Sequence, residues 1–257
     1  MTVESPPKGA EKTALYCYGV VAVGTEVRRL KSGLGGKPVE PLRHGDVAAL
    51  TSVVPRGRVR ARRSDLLTHF DVLGDAFEHG TVLPLRFGIV FEDEASLVEA
   101  FLSPRHDELA GLLRELRNRV ELRVTADYRA EAILAEMVQE NARIARLREA
   151  TRETAGKHPA LLELGELVAK ELQARTRRDA HALLERLRPL SLDYELDEQP
   201  IEYRVLRGSF LVERRRLGAF EAALSRLAEA RRGTIDIKLV GPLPPHSFVA
   251  LTHGEPR

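Results

Sequence analysis

The sequence predicts an α+β protein of two domains, the C-terminal one a modified ferredoxin-like (split βαβ) sheet with a helical-hairpin extension. Three observations carry this expectation. Four runs in the second half alternate apolar with polar residues: Val120/Leu122/Val124, Leu192/Tyr194/Leu196, Tyr203–Glu213 and Thr234–Leu239. That is the period of strands with one buried face. Long stretches between the first and second runs, and a shorter one between the third and fourth, carry apolar residues at helical spacing. The resulting order, β-(helical hairpin)-β-β-α-β, is the split βαβ order with an enlarged first crossover, and helices covering one face of an antiparallel sheet explain the alternation.

Taken in order, residues 1–13 are polar, contain Pro-Pro and predict a disordered leader. An N-terminal α+β domain is expected over 14–117. It opens with a strand from Ala14 to Val23, followed by a glycine-rich connection over Lys31–Pro38 and strands Val39–Leu42 and Val47–Val54 around a His44-Gly45-Asp46 turn. After the basic loop Arg56–Arg63, Ser64-Asp65 is placed to cap a helix whose buried stripe would be Leu66, Leu67, Phe70, Leu73 and Phe77. Val82–Phe91 reads as a strand. Glu92-Asp93-Glu94 then suits the N-terminus of a helix carrying Leu97 and Phe101, and helical spacing continues through Leu109–Leu116.

The C-terminal domain is expected over 118–240, with its helical insertion at about 129–188. One helix would run over 129–150, Gly156-Lys157-His158-Pro159 would break it, and a second would run to Pro189. The middle of that second helix, Gln173–Asp179, is polar on all sides and predicts a projection or a bend, with Arg175–Arg178 as a charged face for an acidic partner. Gly208 suggests a bulge in the third strand. The last strand is expected to stop after Leu239, because Pro242, Pro244 and Pro245 remove ladder donors. Residues 241–257 would then form a proline-rich tail packing back on the body.

The composition excludes several classes of function. With 43% hydrophobic and 30% charged residues the chain is globular, and 40 basic against 38 acidic residues leave a net charge of +2, unlike a dedicated polyanion binder. Cys17 is the only cysteine, so no intrachain disulfide can form. The lack of a long apolar run predicts no membrane span, and the location expected is cytoplasmic. Gly36-Lys37 fails as a phosphate loop, since Lys31 and Pro38 occupy positions that would need Gly and Ser or Thr. His44/Asp46 and His69/Asp71 are the closest histidine–carboxylate pairings, and without a metal-ligand spacing they read as surface or capping histidines. Arg86–Phe91 lacks the aromatic pattern of an RNA-binding strand, so nucleic acid is not an expected partner. No catalytic residue, cofactor or metal is expected.

Three stretches, Val82–Phe91 (VLPLRFGIVF), Val120–Asp127 and Leu239–Val249 (LVGPLPPHSFV), together resemble the gas vesicle protein F/L (GvpF/GvpL) family. Leu15–Val21 and His44–Val53 are similar to its opening strands. The resemblance singles out Pro84, Arg86, Phe87, Gly88, Gly241, Pro242, Pro244, Pro245 and Phe248 as candidate motif or interface residues. Leu243 and His246 stand where the family commonly carries Trp and Tyr. What it implies is a non-enzymatic accessory protein of gas vesicle assembly, associated with the vesicle. The implied partners are the very hydrophobic shell protein (GvpA-type) and other accessory proteins. The alternative reading is a ferredoxin-like small-molecule sensor or regulatory domain.

Overall fold

The computed structural model describes residues 13–27, 30, 32–56, 62–152, 159–199, 201–249 and 251. The expected leader except Thr13, most of the basic loop and the Gly156-Lys157-His158 break lie outside them. The chain divides into one compact unit of residues 1–120 and 243–257 and another of residues 121–242.

The first unit is organised on β1 (Thr13–Ala22), which is buried over all but its end residues. A strand covered on both faces cannot alternate, which is why Ala14–Val21 reads as a continuous run rather than a period of two. β2 (Glu40–His44) and β3 (Val47–Pro55) form the expected hairpin around Gly45-Asp46, and β3 pairs with β1. α1 (Arg63–His79) begins at Arg63 with no side-chain cap, so Ser64 and Asp65 lie in its first turn instead of capping it. Its buried face is His69, Val72, Leu73, Ala76 and Phe77.

The predicted strand Val82–Phe91 is interrupted. It consists of β4 (Val82–Pro84) and β5 (Val90–Phe91), which pair with different parts of β1. At the same place β1 slips register against β3, between Cys17 and Gly19. Residues 85–89 arch across the slip, held by Leu85 N–H donating to Tyr18 O (2.9 Å) and Cys17 N–H to Ile89 O (3.0 Å). Gly88 turns the arch at φ +97°, a conformation that other residues reach only with strain.

Beneath the arch runs a chain of hydrogen bonds. Gly88 N–H donates to the Tyr16 hydroxyl (3.1 Å), and that hydroxyl lies 2.9 Å from His69 Nδ1. His69 Nε2 lies 3.1 Å from the Leu85 carbonyl, which can only accept. Nε2 therefore carries the proton and Nδ1 accepts from Tyr16. His69 was expected at the surface; it is buried, because its ring closes the gap that the arch leaves. Burial pushes its pKa down to about 4.

A short α2 (Glu94–Leu97) follows, with Asp93 and Ser96 forming a reciprocal capping box. It leads through a π-turn at Val98–Leu102 to α3 (His106–Glu115). His106 Nε2 lies 2.8 Å from Asp46 Oδ1, so the imidazole facing Asp46 comes from α3 and not from His44.

In the second unit the sheet order is β7-β8-β6-β9, formed by β6 (Arg119–Tyr128), β7 (Asp193–Leu196), β8 (Arg204–Glu213) and β9 (Ile235–Leu243). This is the split βαβ order, with the first and third strands central. The β7/β8 register runs unbroken from Asp193↔Leu211 to Leu196↔Gly208, so the expected bulge at Gly208 is absent from this pairing. β9 does not stop at Leu239. It continues through Pro242 to Leu243, because it is an edge strand and proline's missing donor can face away from the ladder.

The crossover holds three helices. α4 (Ala130–Glu140) ends where the Asn141 side chain accepts from the backbone of Arg143 and Ile144, which starts α5 (Ala142–Thr151). The helix predicted over 129–150 is thus cut by an Asn cap. α6 (Pro159–Leu187) is continuous through its polar middle, since two of those polar residues point inward. Buried Arg175 reaches Glu171 (2.8 Å), Glu140 (2.8 Å) and Glu136 (3.8 Å), tying α6 to α4. Asp179 accepts from the Tyr128 hydroxyl (2.6 Å) and Arg231 (2.7 Å), tying it to β6 and the end of α7 (Leu217–Ala230). Arg175 is therefore a structural clamp and not part of a charged docking face.

Two outcomes follow from these buried groups. The unfolded chain protonates His69 below about pH 6.5, whereas the native imidazole stays neutral down to about pH 4. Its contribution is intact above that window and is lost as pH falls through it, by up to about 3 kcal/mol. Denaturant midpoints measured from pH 7 to 4.5 should fall more steeply for the native chain than for His69→Gln; parallel slopes would contradict the assignment. Arg175→Ala should cost about 2 kcal/mol in urea unfolding, between the values for surface and buried pairs, since Glu140 is largely solvated. Arg175→Lys should recover little of it, because one ammonium cannot span three carboxylates.

Candidate protein-binding patch

The candidate site lies in the first unit, where the surface of α1 meets the 85–89 arch and the C-terminal tail. α1 turns Leu67 and Phe70, one helical turn apart, toward solvent, with Leu67 55% and Phe70 51% exposed. Phe70 packs edge-on against His246 of the tail, ring centres 5.5 Å apart. The neighbouring His69 faces inward and meets Phe87 of the arch edge-on at 5.7 Å. Two segments far apart in sequence thus converge on adjacent residues of one helix.

The tail is set by short-range bonds and apolar anchors. His246 N–H donates to Pro244 O (2.7 Å) and Phe248 N–H to Pro245 O (3.2 Å), which closes a 3-10 turn over His246–Phe248. Pro244 and Pro245 are buried, as are Val249 and Leu251 beyond the turn. Phe248 is half-buried, so the strongest anchors flank it.

The residues singled out from the sequence fall into two groups. Pro84 is buried at the end of β4, Arg86 and Gly88 are exposed on the arch, and Phe87 is half-buried under it. Arg86 makes no ion pair among the described residues, because it stands on an open loop and not on the strand predicted there. With Pro244, Pro245 and Phe248, these residues belong to the first unit. Gly241 and Pro242 belong to the second. There Gly241 has φ +143°, and a Cβ on it would come within 2.8 Å of Glu121 O, so this position admits only glycine without displacement.

The sequence reading missed Leu67 and Phe70 as surface residues, and it missed Val249 and Leu251. Of the stripe Leu66, Leu67, Phe70, Leu73 and Phe77 drawn from the sequence, Leu73 and Phe77 are buried, Leu66 is half-buried, and Leu67 and Phe70 face solvent. Counting His69 and Ala76 as inward residues gives the correct stripe.

The chemistry of the patch is that of contact. Both nitrogens of His69 are engaged, and burial holds the ring neutral well above pH 4. Burial pushes the Tyr16 hydroxyl above its ordinary range and the Cys17 thiol up to about 12. None of the three is poised to exchange protons near neutrality. Among the described residues no group of three or more His, Cys, Asp or Glu is arranged to hold a metal ion. No helix among them is long and apolar enough to cross a membrane. Exposed aromatic and aliphatic faces of this kind are the composition of a protein-binding surface.

The matches with known proteins extend over both units. The family described as gas vesicle synthesis protein GvpL/GvpF matches residues 14–250. Gas vesicle protein F of Streptomyces sp. (strain CB03234) is 35% identical over 238 residues, covering 91% of this chain and 98% of that protein. Gas vesicle protein L of the same organism is 31% identical, covering 85% and 86%. In fold, the crystal structure of GvpF from Anabaena sp. PCC7120 superposes with a TM-score of 0.81 at 22% identity, over 94% of this chain and all of that one (100%). GvpF from Microcystis aeruginosa superposes with a TM-score of 0.75 at 19% identity, over 93% and 99%. On the extent of these matches, the chain belongs to the GvpL/GvpF family of gas vesicle synthesis proteins.

Proposed function

We propose that this chain is a non-enzymatic accessory protein of gas vesicle assembly that binds the hydrophobic shell protein, together with other accessory proteins, during nucleation and growth of the vesicle. Family membership supports the role in assembly. The observation that carries the binding is the open patch of Leu67 and Phe70, with His246 packed edge-on against Phe70. A shell subunit with a large apolar face would self-associate if left free in water, and a carrier needs apolar area of its own to cover it. Rigid aromatic rings give such area at low entropic cost, since packing already fixes their torsions. On this reading the protein acts in the cytoplasm and at the vesicle.

The test is co-expression with the shell protein followed by affinity recovery. Leu67→Asp with Phe70→Asp should lower the shell protein recovered at least ten-fold while leaving the melting temperature within about 2 °C, since both side chains are half in solvent. Equal recovery with the substituted protein would remove the patch from the interaction, and no recovery with either protein would remove the binding itself.

A further inference from the structure

The second unit carries an open groove of about 620 Å³ between α6 and the chain from Leu196 to Arg207. α6 has two stripes. One holds Arg175, Asp179, Leu183 and Leu187 and is buried in the body of the unit. The other, on a different face, includes Val168, Ala169, Leu172, Thr176, Ala180 and Leu184 and lines the groove. No Asp, Glu, Lys or Arg of α6 lines it. Leu196 (39% exposed) and Ile201 (44% exposed) complete the apolar wall from the opposite side.

Length and shape suit a helix. The lining runs from Gly165 to Leu184, a span of about 28 Å along α6 at 1.5 Å per residue. Its small residues, Gly165 with Ala169 and Thr176 with Ala180, stand four apart, the spacing that lets a second helix lay its ridge close to this one. Charge sets the sign of the occupant. The arginines on the rim are taken: Arg204 pairs with Asp127, and Arg207 with Asp197 at 3.5 Å. Among the described residues neither Glu198 nor Glu202 forms an ion pair, and Glu202 hydrogen-bonds the neutral Tyr203 hydroxyl. The uncompensated charge on the rim is negative.

We propose that this groove is a second docking site, which takes an amphipathic helix of a partner protein whose uncharged stripe is flanked by Lys or Arg. The site belongs to a different unit from the α1 patch and does not depend on which face the shell protein uses. The protein would thereby hold two partners at once.

The test uses the full chain and two fluorescein-labelled 18-residue helical peptides with the same Leu/Ala stripe, flanked in one by Lys and in the other by Glu. Fluorescence anisotropy at low salt should show the Lys peptide binding at least ten-fold more tightly. Ala169→Arg with Ala180→Arg should abolish saturable binding, and Glu198→Lys with Glu202→Lys should reverse the preference between peptides. Unchanged thermal melting of the variants shows that they fold. Leu67→Asp with Phe70→Asp should bind the Lys peptide like the native chain, which separates this site from the shell-protein surface. Binding that survives the arginine substitutions, binding lost in the Leu67/Phe70 variant, or no saturable binding by the native chain would each overturn the proposal.

Discussion

The constraint on which the first unit depends is that two tyrosine hydroxyls are buried along its central strand and must be satisfied there. Tyr16 and Tyr18 are fully enclosed with most of β1 around them. An unpaired buried hydroxyl costs about 1–3 kcal/mol, so each one recruits a separate part of the chain. Tyr18 accepts from Leu34 N–H (2.7 Å) and bonds Ser52 (3.2 Å), whose hydroxyl reaches Pro38 O (2.8 Å); this fixes the glycine-rich connection. Tyr16 takes Gly88 on one side and His69 on the other, fixing the arch and the rotation of α1. The exposure of Leu67 and Phe70 is a consequence: once His69 must point at Tyr16, the residues on either side of it are turned outward.

A similar device operates in the second unit with charges in place of hydroxyls. A helix as long as α6 with a polar middle would be expected to leave the body, yet Arg175 and Asp179 are its inward contacts. Each is surrounded by partners from other elements, which offsets the desolvation that an isolated charge would suffer. These pairs hold α6 in one rotation, and that rotation presents the uncharged stripe to the groove. In both units the polar network inside determines which apolar residues remain outside.

This accounts for a protein with few features of chemistry and two features of contact. The ionisable groups enclosed in the first unit are held away from neutrality by burial, and those in the second are committed to neighbours. Each unit also leaves some large apolar side chains exposed, Leu67 and Phe70 in the first and Leu196 and Ile201 in the second. Membership in the GvpL/GvpF family places the chain in gas vesicle assembly.

Much was legible in the sequence where periodicity reports burial directly. The alternating strands of the second unit, the hairpin around Gly45-Asp46 and the order of the split βαβ sheet were readable because one face of each element is covered by apolar residues alone. The stretches Val82–Phe91, Val120–Asp127 and Leu239–Val249 together pointed to the family. The interruption at residues 85–89 was not readable, because it depends on how two short segments pair with different parts of a strand some seventy residues earlier. Nor was the inward placement of His69, Arg175 and Asp179, since a polar residue reads as exposed until its partner is found at long range. The continuation of β9 through Pro242 turned on its being an edge strand, which no local pattern states. The sequence by itself determined most of the elements, their order and the family. Only the tertiary structure decided which polar groups are paired inside, and through them which face each helix shows to a partner, because pairing over long separations is a property of the packed chain and not of any window within it.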